Sequence, residues 1–343
     1  MENFYKRKIE WFQVLRALAA LFIVFEHVRF LRCGLFGVDI FFVLSGFMAV
    51  YSSELKSDNF LLKRIIRIVP LYWIMTLATF LTVLISPSAF KETVVNESRL
   101  LYSLLFIPFD MNTGEALSTL TSDSVIQPLM RVGWTLNMEM LFYVLFSIAL
   151  KINKRLRVVI TSAFIVLLII IGNFVAVPVL SLWSSPLMLE FCAGMALCRL
   201  CAFLSKKHVS SVLSKLSAVL ILPIMITLAL YYRDIQNDFS VHLVFLLGAI
   251  VLILLAFLAE ENVPAIKPLV NVGNISYSLY LMHYYIILSL DRFFFDFTGP
   301  SVKAFVGLFL GVLVSLLISW LTYAVIEKRF GLFLNKAFTK KAD

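Results

Sequence analysis

Charge is scarce in this chain. Acidic and basic side chains make up 15% of its 343 residues, against 61% hydrophobic ones, which excludes an ordinary water-soluble surface and makes bilayer the expected solvent. Gly/Ser linkers, low-complexity tracts and internal repeats are also missing, so residues 1–343 read as a single membrane domain with no separate extracytoplasmic one. The short period-two segments of a membrane barrel are absent too. Apolar runs last about 17–25 residues, the length that helical spans need. The first run lacks a small-residue cleavage site and carries Arg16, Glu26 and His27, so it reads as an uncleaved anchor. Cysteines are too few for a disulfide framework. Cys198 and Cys201 have metal-like spacing but no second pair, and no metal site is expected.

The expected fold is all-α, a polytopic transmembrane helical bundle of about ten spans. They fall near 11–29, 35–54, 68–86, 131–150, 157–173, 178–199, 212–231, 240–259, 270–290 and 302–326. Short cytoplasmic loops accumulate Lys and Arg. Lys6, Arg7 and Lys8 precede the first span, Lys63, Arg64 and Arg67 follow the second, and Lys151, Lys154, Arg155 and Arg157 follow the fourth. Arg199, Lys206, Lys207 and Lys215 follow the sixth, and Lys328, Arg329, Lys336, Lys340 and Lys341 the tenth. This alternation puts both termini in the cytoplasm. Glu260 and Glu261, which outweigh Lys267 after the eighth span, break it. Topology accounts for most of the net charge of +9, so membrane lipids rather than nucleic acid are the expected surroundings.

One connection is long, residues 87–130. It holds Glu92, Glu97, Asp110, Glu115 and Asp123 against Lys91 and Arg99, which suits an outer-face loop. Leu100 to Ile107 reads as a short helix on the membrane surface, and Asn96-Glu97-Ser98 as a glycosylation sequon in form only.

Ionisable groups inside spans cost about 2.5–3.5 kcal/mol each at the centre and therefore carry the most information. Arg16 and His27 stand eleven residues apart in the first span. That spacing turns a helix about 20° past three full turns and raises it about 16 Å, so both share one face. Such a line suggests a polar path through the bundle; the plainer account has both side chains snorkelling to the two interfaces. Asp39 opens the second span near the level of His27, where a carboxylate would fix the imidazole's tautomer, unless Arg29 or Arg32 satisfies it. Glu139 descends from the outer side of the fourth span as another partner at that depth. Glu190 and His283 lie nearer mid-membrane, where bonding to neighbouring helices competes with a functional role. On the inner side Arg64 and Arg67, three residues apart, would share a helical face and converge on phosphate oxygens, or supply plain positive-inside charge.

Arg16 and His27 form an R-x10-H motif, and Arg64 and Arg67 form R-x-x-R. Between them runs Phe36-Gly37-Val38-Asp39-Ile40-Phe41-Phe42-Val43-Leu44-Ser45-Gly46-Phe47, followed later by Trp134 to Tyr143 and by Ser276-Tyr277-Ser278-Leu279-Tyr280-Leu281-Met282-His283. Together and in this order they resemble the acyltransferase-3 family of membrane-bound O-acyltransferases, over nearly the whole chain. The resemblance implies a stand-alone transmembrane enzyme of the cell membrane. It would take an acyl group, usually acetyl, from cytoplasmic acetyl-CoA and deliver it to a hydroxyl of a cell-surface carbohydrate or lipid-linked glycan.

On this reading Arg64 and Arg67 hold the CoA phosphates and the pantetheine arm enters past Arg16. His27 removes the acceptor's proton, with Asp39 or Glu139 orienting the imidazole; an acetyl-histidine intermediate is the alternative. His283 is given a packing or secondary part. A secondary transporter would also carry intramembrane charges, but paired broken helices or repeated halves are not evident. A polysaccharide polymerase or ligase is the other rival, and neither explains R-x-x-R in register with R-x10-H.

Overall fold

The computed structural model describes residues 2–86, 95–121, 123–206, 208–234 and 239–339. Lys91, Glu92, Lys207, Lys340 and Lys341 lie outside them. In chain order the helices are α1 (Glu2–Lys6), α2 (Glu10–Glu26), α3 (Phe36–Leu55), α4 (Phe60–Ile85), α5 (Glu97–Leu104), α6 (Trp134–Ile152), α7 (Arg157–Gly172) and α8 (Pro178–Trp183). They continue with α9 (Met188–Leu204), α10 (Ser211–Asp234), α11 (Phe239–Ala259), α12 (Lys267–Asn274), α13 (Ser276–Phe293), α14 (Val302–Thr322) and α15 (Gly331–Thr339). A π-helical turn over Tyr323–Phe330 joins the last two. Among the described residues the only β pairing is an isolated bridge between Asp110 and Ile126.

The protein is all-helical. Among the described residues seven helical stretches are long and apolar enough to cross a membrane: Phe36–Leu55, Phe60–Ile85, Arg131–Ile152, Pro178–Leu204, Ser211–Tyr232, His242–Ala259 and Val302–Phe338. Helices also occupy the remaining expected segments, but α2 and α7 are short, at 17 and 16 residues. Two segments expected to be continuous are interrupted. One break separates α8 from α9, where Pro186 pushes Ser185 out of helical geometry. The other is Ile275, between α12 and α13. The span expected to start at 68 is a helix from Phe60 onward, because Pro70 removes a single backbone bond that a long helix survives.

The chain divides into two compact units. The first comprises Met1–Lys56 and Ala193–Ala324. Its centre is α2, against which α3, α11, α12 and α13 all pack. Alanines make this possible: Ala17, Ala19 and Ala20 are fully buried and let neighbouring backbones approach. Gly273 shows how closely, since a Cβ there would sit 2.0 Å from the carbonyl oxygen of Gln13. Near the C-terminal end of α2 a Cβ on Gly34 would sit 1.7 Å from Phe22 O, so only glycine lets the connection to α3 fold back over the helix. Ala20, Val24 and Val28 meet Leu279, Ile287 and Phe297 in one buried cluster. Phe305 and Phe309 of α14 point outward, as lipid-facing residues do.

Two acids that break the charge alternation have structural partners here. Glu261 pairs with Arg7 at 2.8 Å. Glu260 accepts from the Trp11 backbone N–H at 2.9 Å, in the first turn of α2, where the helix dipole favours an anion.

The second unit comprises Ser57–Cys192 and Val325–Asp343. Its described loop residues form a small body of their own around Phe109, Met111, Ala116 and Leu129. Where a short helix was expected over Leu100 to Ile107, α5 runs from Glu97 to Leu104, because the Asn96 side chain caps it by accepting from Arg99 N at 2.8 Å. Asp110 is almost fully buried and accepts from Asn112 N and Val125 N, both at 3.0 Å, and from Ser124 Oγ at 2.9 Å. Arg99 donates to Met111 O at 2.8 Å. Burial alone would raise the Asp110 carboxyl; the two N–H groups, the Ser124 hydroxyl and the Arg99 charge together hold it below the usual carboxylate range.

Candidate active site

In the first unit, α2 ends one residue before His27. The backbone N–H of His27 turns inward to Val24 O at 3.2 Å, and the ring Nδ1 lies 3.0 Å from Ile23 O. The imidazole therefore caps the end of its own helix. Nδ1 also lies 3.1 Å from Nε2 of His283, with ring centroids 4.8 Å apart and planes at 69°. The edge of Tyr284 closes a further side at 5.2 Å. His27 is half-buried and His283 is fully buried, with its Nδ1 3.0 Å from Leu279 O.

Sequence reasoning missed this pair. It put His283 nearer mid-membrane with a packing or secondary part, whereas the structure brings it into contact with His27. One signal was available. Ser276 and His283 are seven residues apart, two helical turns, so they share a face as Arg16 and His27 do.

That face of α13 meets Arg16 as well. Arg16 Nε donates to Ser276 Oγ at 3.1 Å, and its guanidinium lies 5.7 Å from the Phe41 ring. Phe41 meets Tyr280 at 6.4 Å, and Tyr280 meets His283 at 6.0 Å. Arg16 is thus held inside the helix packing at half exposure, with an aromatic path from it to the imidazole pair.

Asp39, in the first turn of α3, is 3% exposed and within electrostatic reach of Tyr232. Arg29, one of the two arginines weighed as its partner, bonds Asp291 at 2.6 Å instead. Glu26 accepts from Gly34 N at 2.8 Å, tying the α2–α3 connection to the end of α2.

The second unit holds the remaining sequence-predicted residues. Arg64 lies on α4, half-buried, with its guanidinium 5.2 Å from the rings of both Phe60 and Tyr143. Tyr143 Oη donates to Glu139 Oε1 at 2.7 Å, and the charges of Glu139 and Arg67 lie within reach of Arg64. Arg67 is exposed. The two arginines share α4 but differ in setting, one seated on aromatic rings and the other open to a ligand. Glu190 is buried at the start of α9, beside the stacked rings of Phe142 and Phe191. Asn137 was quoted only as part of a motif, yet it is fully buried with neither end of its amide bonded among the described residues.

A half-buried imidazole with Nδ1 engaged by a carbonyl and a second imidazole is suited, through Nε2, to deprotonating a hydroxyl or accepting an acyl group. Similarity to known proteins points the same way. Over 167 residues, 47% of this chain, it is 35% identical to the exopolysaccharide production protein ExoZ of Rhizobium meliloti (strain 1021). Over 149 residues, 40% of the chain, it is 29% identical to YrhL of Bacillus subtilis (strain 168), named as a candidate peptidoglycan O-acetyltransferase. These matches span 49% and 23% of the two relatives' own lengths. No solved structure matches the chain. The acyltransferase domain family matches residues 9–324, a stretch that carries both histidines, Arg16, Arg64 and Arg67, and the chain therefore belongs to the acyltransferase-3 family.

Proposed function

We propose that this protein is a multi-pass enzyme of the cytoplasmic membrane. It moves an acyl group, acetyl first among them, from cytoplasmic acetyl-CoA to a hydroxyl of a cell-surface carbohydrate or lipid-linked glycan. The observation that carries this is the half-buried His27, whose Nδ1 is occupied by Ile23 O and His283 in a chain of an acyltransferase family. The names of the two relatives support a carbohydrate polymer as acceptor.

In the reaction, Nε2 of His27 takes the hydroxyl proton as the acceptor oxygen bonds the acyl carbon. The carbon–sulfur bond breaks, and the leaving thiolate takes the proton back from the imidazolium. In the two-step variant the same Nε2 attacks the thioester first and the C–S bond breaks to release the CoA thiolate; the acceptor oxygen then takes the acyl group, the C–N bond breaks, and the hydroxyl proton passes to the thiolate. Arg64 and Arg67 bind the CoA phosphates, with the forked guanidinium preferred over a point charge, and Arg16 stands by the thioester. Asp39 supplies negative charge that favours the imidazolium.

The test is release of CoA from radiolabelled acetyl-CoA by the purified protein in lipid nanodiscs, with label appearing in an added glycan. Release should fall about 10²–10⁴-fold in His27→Ala, with acetyl-CoA affinity nearly unchanged. A protein that binds no acetyl-CoA and releases no CoA would overturn the reading.

A further inference from the structure

We propose that His283 is the positioning residue for His27, an uncharged imidazole standing where a carboxylate orients the base in a serine-protease triad. The inference rests on His27 being the base or nucleophile. It begins with two carbonyls. Ile23 O lies 3.0 Å from Nδ1 of His27, and Leu279 O lies 3.0 Å from Nδ1 of His283. A carbonyl oxygen only accepts, so each ring carries its proton on Nδ1.

The consequence follows from the contact between the rings. Nε2 of His283 then holds a lone pair, and that lone pair faces Nδ1–H of His27 at 3.1 Å. His27 shares its Nδ1 proton between Ile23 O and His283, and its own Nε2 becomes the basic atom. When Nε2 takes the hydroxyl proton the ring becomes a cation, and its Nδ1–H becomes a charge-assisted donor to His283.

His283 suits this part because it is fully buried, where water cannot replace the bond and electrostatic effects are larger than in water. It also suits it because it is neutral. A carboxylate at that depth would need its own counter-charge, whereas an imidazole fixed by Leu279 O needs none. The tautomer of His27 is already set by Ile23 O, so His283 contributes to the cation formed during transfer rather than to the resting ring. A purely structural histidine would fill volume and bond Leu279, and any side chain doing both would replace it.

Three substitutions in the full-length protein in nanodiscs separate these roles. His283→Gln carries an acceptor close to where Nε2 sits. His283→Asn keeps an amide near the Nδ1 position, able to donate to Leu279 O, and leaves the Nε2 position empty. His283→Leu keeps volume alone. Turnover should fall about ten- to hundredfold in Asn and Leu and be largely rescued in Gln, with KM for acetyl-CoA unchanged in all three. In a His27→Ala background the Asn substitution should cause no further loss, since residues acting as a unit are not additive. Equal losses in Gln and Asn, wild-type turnover in Asn, or a full additional loss in the His27→Ala background would each overturn the proposal. Should Leu not insert, the Gln and Asn pair still decides. Full turnover in His27→Ala alone would instead sink the reading of His27 as the reacting residue.

Discussion

Arg16 Nε donates to Ser276 Oγ at 3.1 Å, so an arginine in the first apolar stretch is fixed by a hydroxyl 260 positions later in the chain. The bond holds the guanidinium at half exposure over the Phe41 ring. Removing the acceptor leaves the cation less well placed without changing net charge. Ser276→Ala should lower turnover by about tenfold, the low end for a bond to a charged group, while Ser276→Thr keeps the hydroxyl and most of the activity. Equal activity in both variants would show that Arg16 is held by other contacts.

Arg64 and Arg67 differ in exposure, and their substitutions should differ accordingly. Arg67→Ala should weaken acetyl-CoA binding about tenfold or more through loss of charge-assisted bonds, with melting temperature unchanged. Arg64→Ala should also destabilise the fold, because its guanidinium rests on Phe60 and Tyr143. Calorimetric binding and thermal unfolding together check this. Lysine should rescue either position only in part, since it replaces a fork with a point charge.

Asp110 gives the loop between α4 and α6 a pH dependence of defined sign. Its carboxyl is held below the ordinary value of 3.8, so the anion stabilises the folded loop above that value. The contribution is lost as pH falls through the lower folded value. Hydrogen exchange across residues 97–121 should stay slow from neutral pH down to about 4 and rise only below it, after correction for intrinsic rates. Asp110→Asn should show the faster exchange already at neutral pH, because an amide cannot accept from all three donors. A rise in exchange between pH 6 and 5 would assign the transition to another group.

The proposed topology is open to a direct check. In a cysteine-free background, Thr119→Cys on the outer loop should react with an impermeant thiol reagent in intact cells, and Lys154→Cys between α6 and α7 only after permeabilisation. Both positions are exposed. The reverse pattern would place the acceptor side of His27 in the cytoplasm.

The sequence by itself determined that the chain is a helical membrane protein, because segment length, apolar content and the cost of unpaired backbone groups in lipid leave no other solution. It also gave the expectation that Arg16 and His27 share a face, since helical periodicity is local, whereas the Asn96 cap of α5 is seen only in the structure. Which helices touch is another matter. The pairing of His27 with His283 and of Arg16 with Ser276 depends on α13 packing against α2. That packing depends in turn on close approaches at small residues such as Gly34, Gly273 and the α2 alanines. Periodicity gives a residue's direction about its own axis and says nothing of what stands opposite. For that reason Arg29 found Asp291 rather than Asp39, and a histidine expected to have a packing or secondary part became the neighbour of the proposed base.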